Sequence, residues 1–159
     1  MNDEGEIEFL RTYKDFIYYF NMLERNVGCF LRNCSRIEGI KNPDKLLSVS
    51  FNSKVKRVIS LADKYGLHAS FYDWYVQVEG CRRMRNIISH GQWEWHWWKT
   101  EPIYFHAPDI EHGEGTFTPE EFREKLVYLK NVSKIFHKIS RSLAVAVEMA
   151  ERSVDEING

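Results

Sequence analysis

The stretch Arg82-Arg83-Met84-Arg85-Asn86-Ile87-Ile88-Ser89-His90-Gly91 gathers more groups capable of chemistry than any other part of the chain. Histidine titrates near neutrality and can take up and return protons. Arginine presents a fixed fork of donors that suits a phosphate. Side chains three and four residues apart share a helix face. Asn86 and His90 are therefore stacked neighbours, with Arg82 and Ser89 on the same flank. Arg85 lies farther round the helix, but its side chain is long enough to curl back. Met84, Ile87 and Ile88 supply the apolar contacts that anchor such a segment. Polar and ionisable groups concentrated at one helix end are not what a core needs. The competing reading is structural: Arg85 and His90 cap this helix against its neighbours.

The elements that must position these residues are mostly helical. Ser70 reads as an N-cap with Asp73 at the third position, a variant of the capping box. The helix it opens carries Phe71, Trp74, Tyr75, Val78, Cys81 and Ile88 inward and is closed by Gly91. Upstream, from Ile7 to about Cys34, the residues Leu10, Tyr13, Ile17, Phe20, Leu23, Val27 and Leu31 recur at steps of three and four, the signature of a long amphipathic helix. Gly28 weakens it locally and invites a kink or a close helix contact. A short helix can start at Pro43. Ser53 to Tyr65 forms a second main helix, with Val55, Val58, Ile59 and Ala62 inward and Gly66 as terminator.

After Gly91 the pattern changes to alternation in Trp93–Trp98 and a β-prone run in Ile103–His106, with Lys99-Thr100-Glu101-Pro102 able to turn between them. A small β-hairpin is expected there, followed by a loop from Asp109 to Gly115. Thr118-Pro119-Glu120-Glu121 is a strong helix start, with Phe117 placed to staple onto Phe122. The last helix should run to about Ser153 and bury Phe122, Leu126, Leu129, Phe136, Leu143 and Val147. The expected architecture is all-α and four-helix-bundle-like, one domain over residues 1–159, with a small hairpin insertion after the third main helix.

Composition narrows the function classes. A formal net charge of −1 over 159 residues argues against a globally basic nucleic-acid binder but allows a local basic patch. The acidic opening Met1-Asn2-Asp3-Glu4-Gly5-Glu6 has no apolar run, so no secretory signal is expected. No apolar stretch approaches the ~20 residues needed to span a bilayer. Cys29, Cys34 and Cys81 include no Cys-x-x-Cys pair and are expected as reduced, mostly buried thiols in a cytoplasmic protein. His-Glu-x-x-His and phosphate-binding glycine loops are absent, so neither a metal nor a cofactor is expected.

The run Arg85-Asn86-Ile87-Ile88-Ser89-His90 resembles the motif of the HEPN superfamily. Nucleases of that superfamily carry an arginine, often followed by a polar residue, then a histidine after four to six intervening positions, near the end of an inner helix of a small all-α domain. The detailed resemblance covers six residues, and the helical architecture covers most of the chain. It implies a homodimer in which arginine and histidine from two subunits form a composite, metal-independent RNase site. Arg85 would then stabilise phosphate charge, His90 would act as general acid and base, and Asn86 would orient the imidazole or the phosphate.

Arg82, Arg83, Ser89, Lys130, Lys134 and Lys138 are the accompanying RNA-binding candidates. Family toxins are often paired with a nucleotidyltransferase-like antitoxin, which enters here as an implied partner. The alternative is a non-catalytic helical module of the same kind that binds a protein or a nucleotide. Trp93, Trp95 and Trp97 would share one strand face, either stacking bases or packing on the helices. The basic stripe Lys130, Lys134, Lys138 and Arg141 either follows a phosphate backbone or is a solvated helix face.

Overall fold

Helix boundaries in this chain are set by local chemistry at their ends. A computed structural model describes residues 3–90, 92–94, 104–107 and 115–158. Among them are four α-helices, α1 (Asp3–Ile37), α2 (Phe51–Lys64), α3 (His68–His90) and α4 (Pro119–Asn158), with a 3₁₀ turn at Pro43–Leu47 between α1 and α2. The all-α, four-helix-bundle-like class expected from the sequence is what forms.

Gly66 stands at φ +74°, a left-handed conformation that glycine adopts without a Cβ penalty. Its N–H donates to the Asp63 carbonyl at 3.1 Å, and Leu67 N–H donates to the Ala62 carbonyl at 2.8 Å. This pair of bonds is a Schellman closure. Gly39, at φ +70°, ends α1 in the same way, with Gly39 N–H on the Arg36 carbonyl at 3.1 Å and Ile40 N–H on the Ser35 carbonyl at 2.9 Å. The helix therefore runs past the Cys34 end read from periodicity, because the capping signal and not the last apolar residue decides where it stops.

The start of α4 carries a complete capping box. Thr118 N–H donates to Glu121 Oε2 at 2.8 Å, and Glu121 N–H donates to Thr118 Oγ1 at 3.1 Å. Two other expected starts move. In α2 it is Ser50 that caps, its hydroxyl accepting from Ser53 N–H at 3.2 Å, so the helix begins at Phe51 and not at Ser53. In α3 the helix begins at His68, and Ser70 lies inside the first turn. There His68 Nδ1 pairs with Asp63 next to the Gly66 closure. α4 also continues beyond the expected Ser153, to Asn158.

Contacts divide the chain into two compact units, Met1–Phe20 with Val78–Asn131, and Asn21–Gln77 with Val132–Gly159. In the first, Phe122 packs against Phe9 and Phe16 at centroid distances of 5.7 and 6.0 Å. Phe9 and Phe16 are buried where periodicity selects Leu10 and Ile17, and Leu10 is 54% exposed. Both pairs keep helical spacing, and the larger phenylalanines bury more apolar area.

In the second unit the core is aromatic. Trp74, fully buried, lies 4.8 Å from Phe136 and 6.4 Å from Phe71, and Phe136 meets Phe30 edge-on at 5.6 Å. Val55, Val58, Ala62, Leu143 and Val147 in the same unit are buried with no exposed surface. The close contact expected at Gly28 is present: a Cβ there would lie 3.4 Å from both Leu47 Cδ2 and Lys54 Cε.

Three short strands among the described residues, β1 (Gln92–Glu94), β2 (Tyr104–Ala107) and β3 (Gly115–Phe117), pair antiparallel in that order, with Trp93 opposite Phe105 and Phe105 opposite Phe117. Gly115, expected in a loop, begins the third strand. Trp95, Trp97 and Trp98, the Lys99–Pro102 turn and Gly91 lie outside the described residues, as does the expected Phe117 staple.

These features rank by size. Trp74→Ala should cost about 3–5 kcal/mol through cavity formation. Gly66→Ala should cost about 1–2 kcal/mol through left-handed strain. Thr118→Ala should cost about 1 kcal/mol through the lost cap. Urea unfolding of the three variants checks the order, and a neutral Gly66→Ala would contradict the left-handed closure of α2.

Candidate functional site

The last turns of α3 carry the candidate residues, all within the first unit. Met84 and Ile88 are 5% and 2% exposed. Their burial fixes how α3 is rotated and leaves the intervening positions at the surface. Ser89 and His90 are exposed, Asn86 and Arg85 are half-buried, and His90 is the final residue of the helix. Asn86 stands one turn before His90 on the same face, as the spacing requires.

Arg85 is positioned by a contact that no spacing rule reveals. Its guanidinium carbon lies 5.9 Å from the centroid of the Phe20 ring on α1. Such cation–π contacts are worth about 0.5–1 kcal/mol at exposed sites and more when desolvated. The contact restrains the side chain without occupying its N–H donors. Arg82 is held differently. Its Nε donates to Glu79 Oε1 and Oε2 at 3.2 and 3.1 Å, and Nη2 donates to Oε2 at 2.8 Å. This forked pair one turn apart is readable from the Glu79 and Arg82 spacing. Arg82 is thus a tethered residue whose fork is already engaged by a carboxylate. Among the described residues, no hydrogen bond joins Arg85, Asn86 and His90 to one another.

Arg83 is exposed and points to a second feature. A cleft of about 280 Å³ is lined by Phe16, Cys81, Arg83, Met84, Lys125 and Tyr128. Burial pushes the Cys81 thiol up to about 12, against a smaller lowering by Lys125. Burial likewise raises the Tyr128 hydroxyl, with Cys81 adding to it. A thiol so shifted carries almost no thiolate at neutral pH and is no nucleophile.

Lys130 belongs to the same unit and places its ammonium 4.6 Å from the centroid of the Tyr19 ring. Lys134 and Lys138 belong to the second unit, and there Arg141 lies 3.0 Å from His137 Nε2. Among the described residues no three His, Cys, Asp or Glu side chains converge so as to hold a metal ion. No helix among them is long and apolar enough to cross a membrane.

Comparison with known proteins returns no match: no family model, no curated protein and no solved structure matches the chain. The resemblance therefore rests on the six residues of α3 and their helical setting.

The buried thiols generate a pH dependence. Burial, with Glu38 and Glu148 adding to it, raises Cys34 to about 11, and Cys81 reaches about 12, both from an ordinary 9.0. The unfolded chain then gives up these protons at a lower pH than the folded one does. Their stabilisation is complete below about pH 8 and is lost between about 9 and 11–12, each tenfold weakening of the acid being worth about 1.4 kcal/mol. Denaturant unfolding at pH 8 and 10.5 should show a loss of a few kcal/mol that flattens in Cys34→Ala and Cys81→Ala. An unchanged slope in both variants would remove the thiols as its source.

Proposed function

We propose that the chain is a metal-independent endoribonuclease that cleaves RNA through the 2′-hydroxyl at a composite site formed by two copies. The observation that carries the reading is the arrangement at the end of α3. An exposed His90 stands one turn above Asn86, and farther round the same helix end Arg85 has its guanidinium steadied by Phe20 through a contact that uses none of its N–H donors. In such a reaction the 2′-oxygen attacks the adjacent phosphorus and loses its proton to one imidazole. The 5′-oxygen leaves and takes a proton from another. The products are a 2′,3′-cyclic phosphate and a 5′-hydroxyl. Arg85 would stabilise charge on the phosphorane, and Asn86 would hold an imidazole or the phosphate in place.

One acid and one base are needed, and each chain has a single Arg85-to-His90 segment. A twofold dimer supplies the pair, because an isologous contact repeats each residue across the axis. Arg83, Ser89 and Lys130, in the same unit, are candidate contacts to flanking phosphates, with Arg82 already drawn to Glu79. A toxin or defence role with a nucleotidyltransferase-like antitoxin is what the resemblance implies, and a cytoplasmic setting is the reading of the three unpaired cysteines.

The Arg85–Phe20 contact also suits a second reading, in which Arg85 is structural and the chain is a non-catalytic module binding a protein or a nucleotide. The two readings differ at His90. If it relays protons, His90→Ala should lose activity by roughly 10²–10⁴-fold. Its exposure should limit the stability change to about 0.5 kcal/mol. Arg85→Lys should be crippled although charge is kept, because lysine lacks the bidentate fork. Cleavage of a mixed RNA pool should persist in excess EDTA and leave cyclic phosphate ends. Light scattering should show a dimer at tens of micromolar. A wild type inert on RNA, with Arg85→Lys destabilised, would favour the binding module. Cleavage restored only by Mg²⁺ would sink the mechanism.

A further inference from the structure

The second unit holds a cleft in which positive charge exceeds negative and one buried guanidinium nitrogen lacks a partner among the described residues. A cleft of about 440 Å³ lies where α1, the Pro43–Leu47 turn and α2 meet, and Glu24, Arg25, Gly28, Cys29, Arg32 and Lys54 line it. Three of these are cations and one is a carboxylate. The Lys54 side chain is only 6% exposed, and its ammonium donates to Glu24 Oε1 at 3.2 Å. An ammonium has three donors, and among the described residues Glu24 is the one acceptor given to it. Arg32 Nε is buried with no hydrogen-bond partner among the described residues. The same guanidinium reaches Asp44 only at 4.0 Å, while Asp44 accepts from Arg36 at 3.0 Å. A buried donor without an acceptor is costly, and a buried cation more so.

We propose that this cleft binds a small phosphate-bearing anion. Phosphate offers several acceptor oxygens and more than one negative charge, which matches an ammonium with spare donors beside two guanidinium groups. The volume falls within the range of about 300–1,000 Å³ typical of small-ligand sites, and the walls come from three elements, as an enclosing site needs. Gly28 leaves room here: a Cβ at this position would already touch Leu47 and Lys54 at 3.4 Å, so a longer side chain would take up cleft space. Glu24 is the one lining carboxylate. It pairs with Lys54 and opposes an incoming anion.

Cys29 provides the readout. It is half-exposed in the cleft, whereas Cys34 and Cys81 are 2% exposed and are expected to label far more slowly. The probe is inorganic pyrophosphate at constant ionic strength, with iodoacetamide labelling of Cys29 and melting temperature followed together. Saturable slowing of labelling and a rise in melting temperature are expected. Arg32→Gln and Arg25→Gln should each weaken the apparent affinity by about tenfold, the loss of one charge-assisted contact. Arg25 is exposed, so its variant keeps the fold. Glu24→Gln should tighten binding, a direction that a purely structural Glu24–Lys54 pair cannot produce.

The proposal is overturned if pyrophosphate gives no saturable protection, or if sodium chloride at the same ionic strength protects equally. Protection by an RNA oligonucleotide with none by pyrophosphate would overturn it too, in favour of a nucleic-acid groove. None of these residues belongs to the Arg85–His90 segment, so the outcome is independent of the nuclease assay.

Discussion

Burial of one apolar stripe along α1 is the constraint on which the described structure depends. Phe9, Phe16, Phe20, Leu23, Val27 and Leu31 are each at most 8% exposed. Long helices in water draw most of their stability from such a packed face and not from intrinsic propensity. The first part of the stripe serves the first unit and meets Phe122 on α4, while the later part serves the second. Once the stripe is inward, the rotation of α1 is set. That rotation presents the Phe20 ring to Arg85 and the Glu24 carboxylate to Lys54.

The same logic operates on α3. Trp74, Val78, Cys81, Met84 and Ile88 are buried, so the polar residues between them have only the surface left to them. The end of α3 therefore carries side chains under graded restraint. Arg82 is tied to Glu79 by three hydrogen bonds. Arg85 rests on an aromatic ring, and His90 stands exposed in the final position. Graded restraint of this kind suits a site in which one group must stay fixed while another exchanges protons with solvent.

The two cationic arrangements differ in physical character. Arg85 meets a ring quadrupole, a contact that leaves the N–H donors out of use. Lys54 meets a carboxylate inside a cleft that also holds Arg25 and Arg32, where positive charge exceeds negative. An effective dielectric below that of water strengthens the attraction of such a place for an anion. Burial acts the other way on Cys34 and Cys81, holding both in the neutral form. Burial by itself thus disfavours charge, and only a local excess of one sign turns it into a binding feature.

Local sequence suffices for the helical class, the capping box at Thr118 and Glu121, the Gly66 closure, and the inward faces of α2 and α4. Each depends on residues within about one turn of one another, where local hydrogen bonding and periodicity decide the outcome. The stacking of Asn86 and His90 on α3 is legible for the same reason. Tertiary packing resolves what local patterns leave degenerate. Phe9 and Phe16 face the core where Leu10 and Ile17 have equally good spacing, because the partner Phe122 lies roughly a hundred positions along the chain. Serine is a competent cap at both 50 and 53, and in the folded chain it is Ser50 that accepts from Ser53 N–H. Phe20 beneath Arg85, and Glu24 beside Lys54 thirty residues away, have no signature in sequence. Such contacts arise between elements whose approach is set by burial elsewhere.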